Sequence, residues 1–269
     1  MRRRWPIGLI VPVVLVGAWQ ACSAAGWVNP QALPSPLAVL SKWWHYVAPP
    51  GPYDPEQGGR LAWLVSGELI GDALGSLYRV LVGFFVGAGL ALPLGLLMGA
   101  SERLHQLMNP MLQVLRPIPP IAYIPLAILW FGLGNPPAVF LIALGAFFPV
   151  LINTISGVRH VDRLYLRAAR NLGAGPGAIF LRVMFPAALP YILAGMRIGI
   201  GTAFIVVIVS EMIAVPNGLG FRILEAREYF WTDKVIAGML TIGLIGLGID
   251  AVMTRISDRL LRWHAGPER

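Results

Sequence analysis

Three ionisable residues, Arg197, Glu211 and Asp250, stand inside otherwise apolar runs of this 269-residue chain. Such groups are costly in lipid, and they mark solute or ion routes, proton relays or internal ion pairs. Arg197 and Glu211 share one run, fourteen residues apart. On a helix that is nearly four turns, so they lie on one face but about 21 Å apart along the axis, too far to pair. Two roles are open to Arg197: a positive group on the route of an anionic solute, or a packing contact to neighbouring carbonyls or to Asp250. Asp250 sits five residues before Arg255 and is expected to be capped by Arg255 or a neighbour rather than to bind solute. Glu211 is expected near the outer mouth of its span. Asn153 offers an amide for a hydrogen bond across helices. Arg116 opens "RPIPP", whose prolines break helix continuity at membrane depth, a break tolerated where the backbone is buried or lines a cavity. Its expected place is the inner entrance of a pathway, as a gate or a clasp.

Other chemistry is missing from the pattern. The chain has no Gly-x-x-x-x-Gly-Lys-Ser/Thr phosphate loop, no His-Glu-x-x-His and no Gly-x-Ser-x-Gly. Its four histidines, His45, His105, His160 and His264, are scattered, and Cys22 is its single cysteine, so neither a disulfide framework nor a thiolate cluster can form. No catalytic group, metal or cofactor is therefore expected. An intramembrane enzyme would need a clustered pair of catalytic groups that the sequence lacks. An ion-coupled secondary carrier using Arg197, Glu211 and Asp250 remains a distinct reading.

The elements that must position these residues are membrane helices. The chain is 57% hydrophobic and 13% charged, with a mean hydropathy of +0.69, too little charge to cover a soluble domain of this length. The net charge of +8 reads as basic loops at an anionic leaflet rather than as a nucleic-acid surface. Six apolar runs mark six spans: residues 7–28, 80–100, 118–134, 136–152, 190–214 and 235–254. The first follows "MRRRW" and is read as an uncleaved helix, because its length spans a bilayer and the residues before Cys22 fit a lipoprotein cleavage site poorly. Arginines crowd the segments that become cytoplasmic when the N-terminus is inside, so both termini are placed in the cytoplasm.

Residues 29–79 then form an outer, periplasmic segment. Ser35 as N-cap and Pro36 at the first position predict a helix along the membrane–water boundary, with Leu37, Leu40, Trp43, Trp44 and Val47 at helical spacing. "APPGPYDPEQGG" is a polar turn region after it. Gly83 with Gly87, Gly95 with Gly99, and Gly195 with Gly199 predict close helix packing, within a bundle or between subunits.

The longest inner loop, residues 157–189, predicts a helix–turn–helix. Asp162 starts a short helix carrying Arg163, Arg167 and Arg170 on one face, and Gly173 ends it. Pro176 opens a second helix that stops before Pro186. Ala168 and Ala169 leave a shallow face into which another protein can press.

"RAARNLGAGPGAIFLRVMFP", Arg167 to Pro186, resembles the EAA loop of membrane subunits of ATP-binding cassette importers. Arg167, Ala168 and Ala169 occupy the first three places and Gly173 the required glycine; Val183, Met184, Phe185 and Pro186 follow nine residues later. Arg167 reverses the charge of the family's glutamate. "LPSP", "RPIPPIAYIPLAILWFGLG", "FFPVLINTISGVR", "AGMRIGIGTAFIVVIVSEM" and "NGLG" are similar to the branch that carries nitrate, taurine and aliphatic sulfonates. The resemblance implies one permease domain of the all-α type I importer (MetI-like) fold in a bacterial inner membrane. Coupling would run through Arg167, Ala168, Ala169, Gly173, Val183 and Pro186. The substrate pathway is expected to involve Arg116, Asn153, Arg197 and Glu211. The implied partners are two cytoplasmic ATPases, a periplasmic or lipid-anchored solute-binding protein, and a second permease copy, a homodimer forming the pore.

Overall fold

The computed structural model describes residues 5–49, 51–52, 59–60, 63 and 66–262, leaving aside the side chains at 5–7 and 9. Arg2, Arg3, Arg4, Asp54, Glu56, His264 and Arg269, on which the sequence reading of the flanks and the polar turn partly rests, lie outside the described residues. The described residues form helices α1 (Trp5–Ala24), α2 (Pro36–Val47), α3 (Glu68–Ala100), α4 (Glu102–Leu115), α5 (Ile124–Phe131), α6 (Asn135–Arg159), α7 (Arg163–Asn171), α8 (Pro176–Ala214), α9 (Leu219–Glu228) and α10 (Thr232–Leu260). Two compact units divide the chain: Met1–Gly75 with Asn217–Leu244, and Ser76–Pro216 with Ile245–Arg269.

The spans differ from the hydropathy pattern at their ends. Among the described residues four helices, α3, α6, α8 and α10, are long and apolar enough to cross a membrane, and the bent pair of α4 with Pro120–Phe131 makes a fifth if counted as one span. The expected second span begins twelve residues early, at Glu68 rather than Val80, which draws Asp72 and Arg79 from the supposed outer loop into α3. The third span, 118–134, expected to be interrupted by its prolines, is a 3-10 turn, Pro120–Tyr123, and the eight-residue α5, turned by 80° from α4. Pro117, Pro119 and Pro120 cause the turn: they withdraw backbone donors, and each disfavours helical geometry in the residue before it.

The second helix of the arginine-rich loop does not stop before Pro186. It continues as α8, because a single π-helical turn over Phe180–Met184 absorbs the proline: Phe185 N–H donates to the Phe180 carbonyl, and Pro186, which has no N–H to give, opens the next turn. The expected loop of residues 157–189 is thereby shortened to α7 and its flanking turns.

In the unit Ser76–Pro216, α6 is the central element. An added Cβ on Gly83, Gly95 or Gly99 of α3 would fall 2.5–2.7 Å from side-chain atoms of Ile142, Thr154 and Val158, and on Gly87 it would strike the Ala143 carbonyl. On the other side, a Cβ added to Gly195 or Gly199 of α8 would fall 2.6 Å from Asn153 or 2.9 Å from Val150 of α6. All three glycine pairs thus seat helices against α6 within the chain. Phe84, Leu141, Ile142, Leu151 and Val207 fill the interior between them.

In the unit Met1–Gly75 with Asn217–Leu244 the helix marked by Ser35 and Pro36 is present as α2. Ser35 caps α2, its Oγ accepting from Ala38 N–H at 3.2 Å, and Leu37, Leu40 and Trp44 stay exposed while Val39 is buried. Trp43 donates its indole N–H to Thr241.

Candidate functional site

α7 is a small projecting helix with a defined end. Asp162 caps it, accepting from Leu164 N–H at 2.8 Å. Its C-terminus closes in a paired turn: Gly173 N–H donates to Arg170 O at 2.9 Å and Ala174 N–H to Ala169 O at 3.0 Å, with Gly173 at φ 79°. The two crossed bonds satisfy carbonyls a helix end otherwise leaves open, and they require a left-handed residue between them. Arg167 and Ala168 are exposed and Ala169 half-buried, while Leu164, Tyr165 and Leu172 stand 67%, 63% and 87% exposed. Val183, half-buried, lies on the Phe180–Met184 turn against which α7 packs, and Pro186, also half-buried, follows that turn.

Behind α7 the end of α6 is clamped to α8. The His160 ring stacks on Tyr191, centroids 5.5 Å apart, and Gly157 lies against the Tyr191 Cβ. Val158, Ala188 and Ile192 form a small buried cluster beside them. The root of α7 therefore adjoins two long helices that are packed on each other.

The three ionisable residues that stand inside the apolar runs, Arg197, Glu211 and Asp250, are each paired. Arg197 holds Asp250 with two bonds, Nε to Oδ1 and Nη2 to Oδ2, both 2.7 Å, and each side chain is half exposed. This is the packing contact to Asp250 and not an open positive group; Asp250 is answered by Arg197 rather than by Arg255. Glu211 is fully buried, accepting from Arg79 Nη1 at 2.6 Å and from Ser76 Oγ at 2.8 Å. Arg79 also donates Nε to Asn135 Oδ1 at 2.7 Å, and Gly134 N–H donates to Ala214 O, so α3, about three turns into its length, and the start of α6 are tied to the end of α8. Hydropathy placed Arg79 outside the span, and no local signal betrays its burial. Its partner lies 132 residues away.

Asn153 does not bridge helices. Its Nδ2 donates to Pro149 O of its own helix at 2.8 Å, a carbonyl four residues back that Asn153 can reach because both belong to α6. It lines a cavity of about 340 Å³ with Arg116, Phe148 and Ile152, and those last three also line an adjoining cavity of about 350 Å³ between α4 and α6. Arg116 and Asn153 are thus brought together, while Arg197 and Glu211 are not among the residues lining either cavity.

In the other unit Arg222 of α9 gathers three carboxylates: Asp72 at 2.6 Å and Glu68 and Glu225 at 2.9 Å, while Asp72 also accepts from Gly218 N–H. Partial burial by itself would lower the Arg222 pKa. Hydrogen bonds to Asp72 and Glu225, with the charges of Asp72 and Glu68, outweigh it and raise the value, so the residue stays a cation.

Residues 91–262, from the middle of α3 through the whole of α10, match the family described as binding-protein-dependent transport system inner membrane component. Over 263 residues the chain is 37% identical to a Bacillus subtilis (strain 168) protein named as an aliphatic sulfonates transport permease, covering 98% of this chain and 89% of that one. Over 270 residues it is 33% identical to the taurine transport system permease protein of Escherichia coli (strain K12), covering 98% and 94%. Among solved structures its fold is similar to a chain of the MetNI methionine ABC transporter in an inward-facing conformation, with a TM-score of 0.57 at 21% identity over 76% of this chain and 98% of that one.

Proposed function

Because the chain belongs to the family of binding-protein-dependent transport system inner membrane components, we propose that it passes a small sulfonate-type solute, such as taurine, and is driven through α7. It is the membrane-spanning permease subunit of an ATP-binding cassette importer and a non-catalytic transport component; an ATPase and a solute-binding protein are the partners its family implies. The finer assignments that follow are ours: α7 seats in a groove on a cytoplasmic ATPase, two such ATPases drive two copies of this chain, and both termini lie in the cytoplasm.

One observation carries the coupling role: the glycine of the EAA-like spacing, Gly173, forms the left-handed turn of a projecting helix whose base is clamped to α6 and α8. A lever needs a stiff shape and a firm root, and this segment has both. The orientation is supported by Arg159, Arg163, Arg167, Arg170 and Arg182 clustering around α7, as segments left in the cytoplasm do. Arg116 and Asn153 are assigned to the pathway as lining groups, Arg197 and Glu211 to structural pairs beside it.

An ion-coupled carrier is not favoured. Such a protein needs an ionisable group free to exchange partners with the solution, whereas Glu211 is buried against Arg79 and Ser76 and Asp250 is held by two bonds.

The deciding experiment is ATP hydrolysis by the reconstituted importer, stimulated by its solute-binding protein loaded with taurine. Gly173→Trp and Ala169→Glu should abolish stimulation while leaving insertion intact; full stimulation in both would reject α7 as the coupling element. An Ala174→Cys variant should react with a membrane-impermeant thiol reagent only from the cytoplasmic face.

A further inference from the structure

α4 was invisible to hydropathy, yet one of its faces is chemically distinctive. His105, Asn109, Gln113 and Arg116, at steps of four, four and three, fall on one side of the helix and its C-cap, and all four line the cavity against α6. The opposite wall includes Phe148 and Ile152. Neither this cavity nor the adjoining one is lined by an aspartate or glutamate.

The polar groups on this face lack acceptors. His105 Nδ1 is buried with no hydrogen-bond partner, and among the described residues the side chains of Asn109, Gln113 and Arg116 make no hydrogen bond or ion pair. Arg116 is exposed, and it contrasts with the arginines that are paired: Arg79 has Glu211, Arg197 has Asp250, Arg222 has Asp72, and Arg159, lining the same cavity, has Glu102 at 2.9 Å. Arg116 has no carboxylate.

A cation and amide donors with no protein acceptor, set beside Phe148 and Ile152 with Ser156 and Arg159 on the same cavity, fit a group that accepts. A guanidinium fork suits two oxygens of one such group. We propose that this face of α4 is an oxyanion-binding site on the permeation route, engaging the sulfonate, carboxylate or phosphate group of a small organic anion through Arg116, Gln113 and Asn109. This deepens the permease reading and rests on it: the site would hold the charged end of the solute near the α7 end of α6.

The test uses the full chain, purified in an uncharged detergent and stripped of lipid, without ATPase. Ethanesulfonate should raise the thermal midpoint in a saturable manner, and its uncharged isostere ethyl methyl sulfone should not. Arg116→Gln and, separately, Gln113→Leu should weaken ethanesulfonate binding about tenfold or more, with Arg116→Lys intermediate. If a lipid headgroup supplies the oxyanion instead, native mass spectrometry of unstripped protein will show phosphatidylglycerol retained by the wild type, lost from Arg116→Gln and displaced by ethanesulfonate. Equal effects of ethanesulfonate and the sulfone, or anion binding unchanged in both folded variants, would overturn the proposal, as would a chain that binds neither anion. None of these results depends on ATP hydrolysis, so failure here leaves the coupling assignment to its own experiment.

Discussion

Arg79 and Glu211 meet in the interior of their unit, guanidinium to carboxylate at 2.6 Å, with 4% and 0% of their side chains exposed. Ser76 and Asn135 join them, so four residues from three helices form one knot at the start of α6. α7 follows the other end of α6, which at 25 residues is about 37 Å long. The chain therefore holds one end of its central helix rigid by buried charge and attaches the projecting helix to the other.

Breaking one side of that knot leaves a buried charge uncompensated. Arg79→Met or Glu211→Gln should each lower stability strongly, by about 3–5 kcal/mol. The double variant Arg79→Met/Glu211→Gln should lose much less than the sum of the two. Thermal unfolding of the detergent-purified chain, followed by loss of monodisperse protein, reads both quantities; simple additivity would show that the two residues act separately.

Arg197 and Asp250 are half exposed, so their pair should matter less to stability, as solvent screens it. Arg197→Lys should keep the charge and leave the apparent KM for uptake within about twofold of wild type, because the residue packs rather than binds solute. Arg197→Ala and Asp250→Ala should have similar, smaller effects on the thermal midpoint than either change at the Arg79–Glu211 pair. A KM that rises steeply in Arg197→Lys would restore this residue to the solute route.

The glycine seams give a position-specific expectation. Gly95→Ala would press a methyl group against Thr154 and should cost about 1–3 kcal/mol as an overpacked contact. Gly89→Ala, on the same helix with nothing within 4 Å of the added carbon, should be neutral or slightly stabilising. Comparing the two by thermal unfolding separates packing from any general intolerance of α3.

At Gly173 the backbone conformation itself is under test. A Cβ at φ 79° costs about 1–2 kcal/mol, and asparagine tolerates this region better than alanine or valine. Stimulated ATP hydrolysis should therefore fall in the order Gly, Asn, Ala, Val at position 173. An order following side-chain size alone, with Ala above Asn, would mean that space and not backbone geometry governs the turn.

Much of the architecture is legible from local pattern. Ser35 and Pro36 begin a helix because a hydroxyl cap and a preset φ act within one turn; Asp162 and Gly173 bound α7 for the same kind of reason. The loss of α4 in the hydropathy pattern has an equally local cause. "ERLHQLMNPMLQVL" is polar on one face and carries Pro110, so neither apolar run length nor uninterrupted helix formers mark it. Its cap, Ser101, and the spacing of His105, Asn109, Gln113 and Arg116 were the available signals. The continuation of α8 through Pro186 was less accessible, since a π-helical turn is a register adjustment that composition does not announce.

What the sequence determined by itself is whatever depends on nearest neighbours and on transfer into lipid: helical membrane runs, caps, the left-handed turn at Gly173, and the spacing that marks an importer permease. Only the tertiary structure decided which charges are spent on one another. Asp250 stood among the partners the sequence offered Arg197 without being chosen, and neither Glu211 to Arg79 nor Arg116 to a cavity with no carboxylate in its lining could be assigned from positions along the chain. Partners more than fifty residues apart are selected by how helices pack, and in lipid or a buried core that selection determines whether a charge is structural or left to meet a ligand.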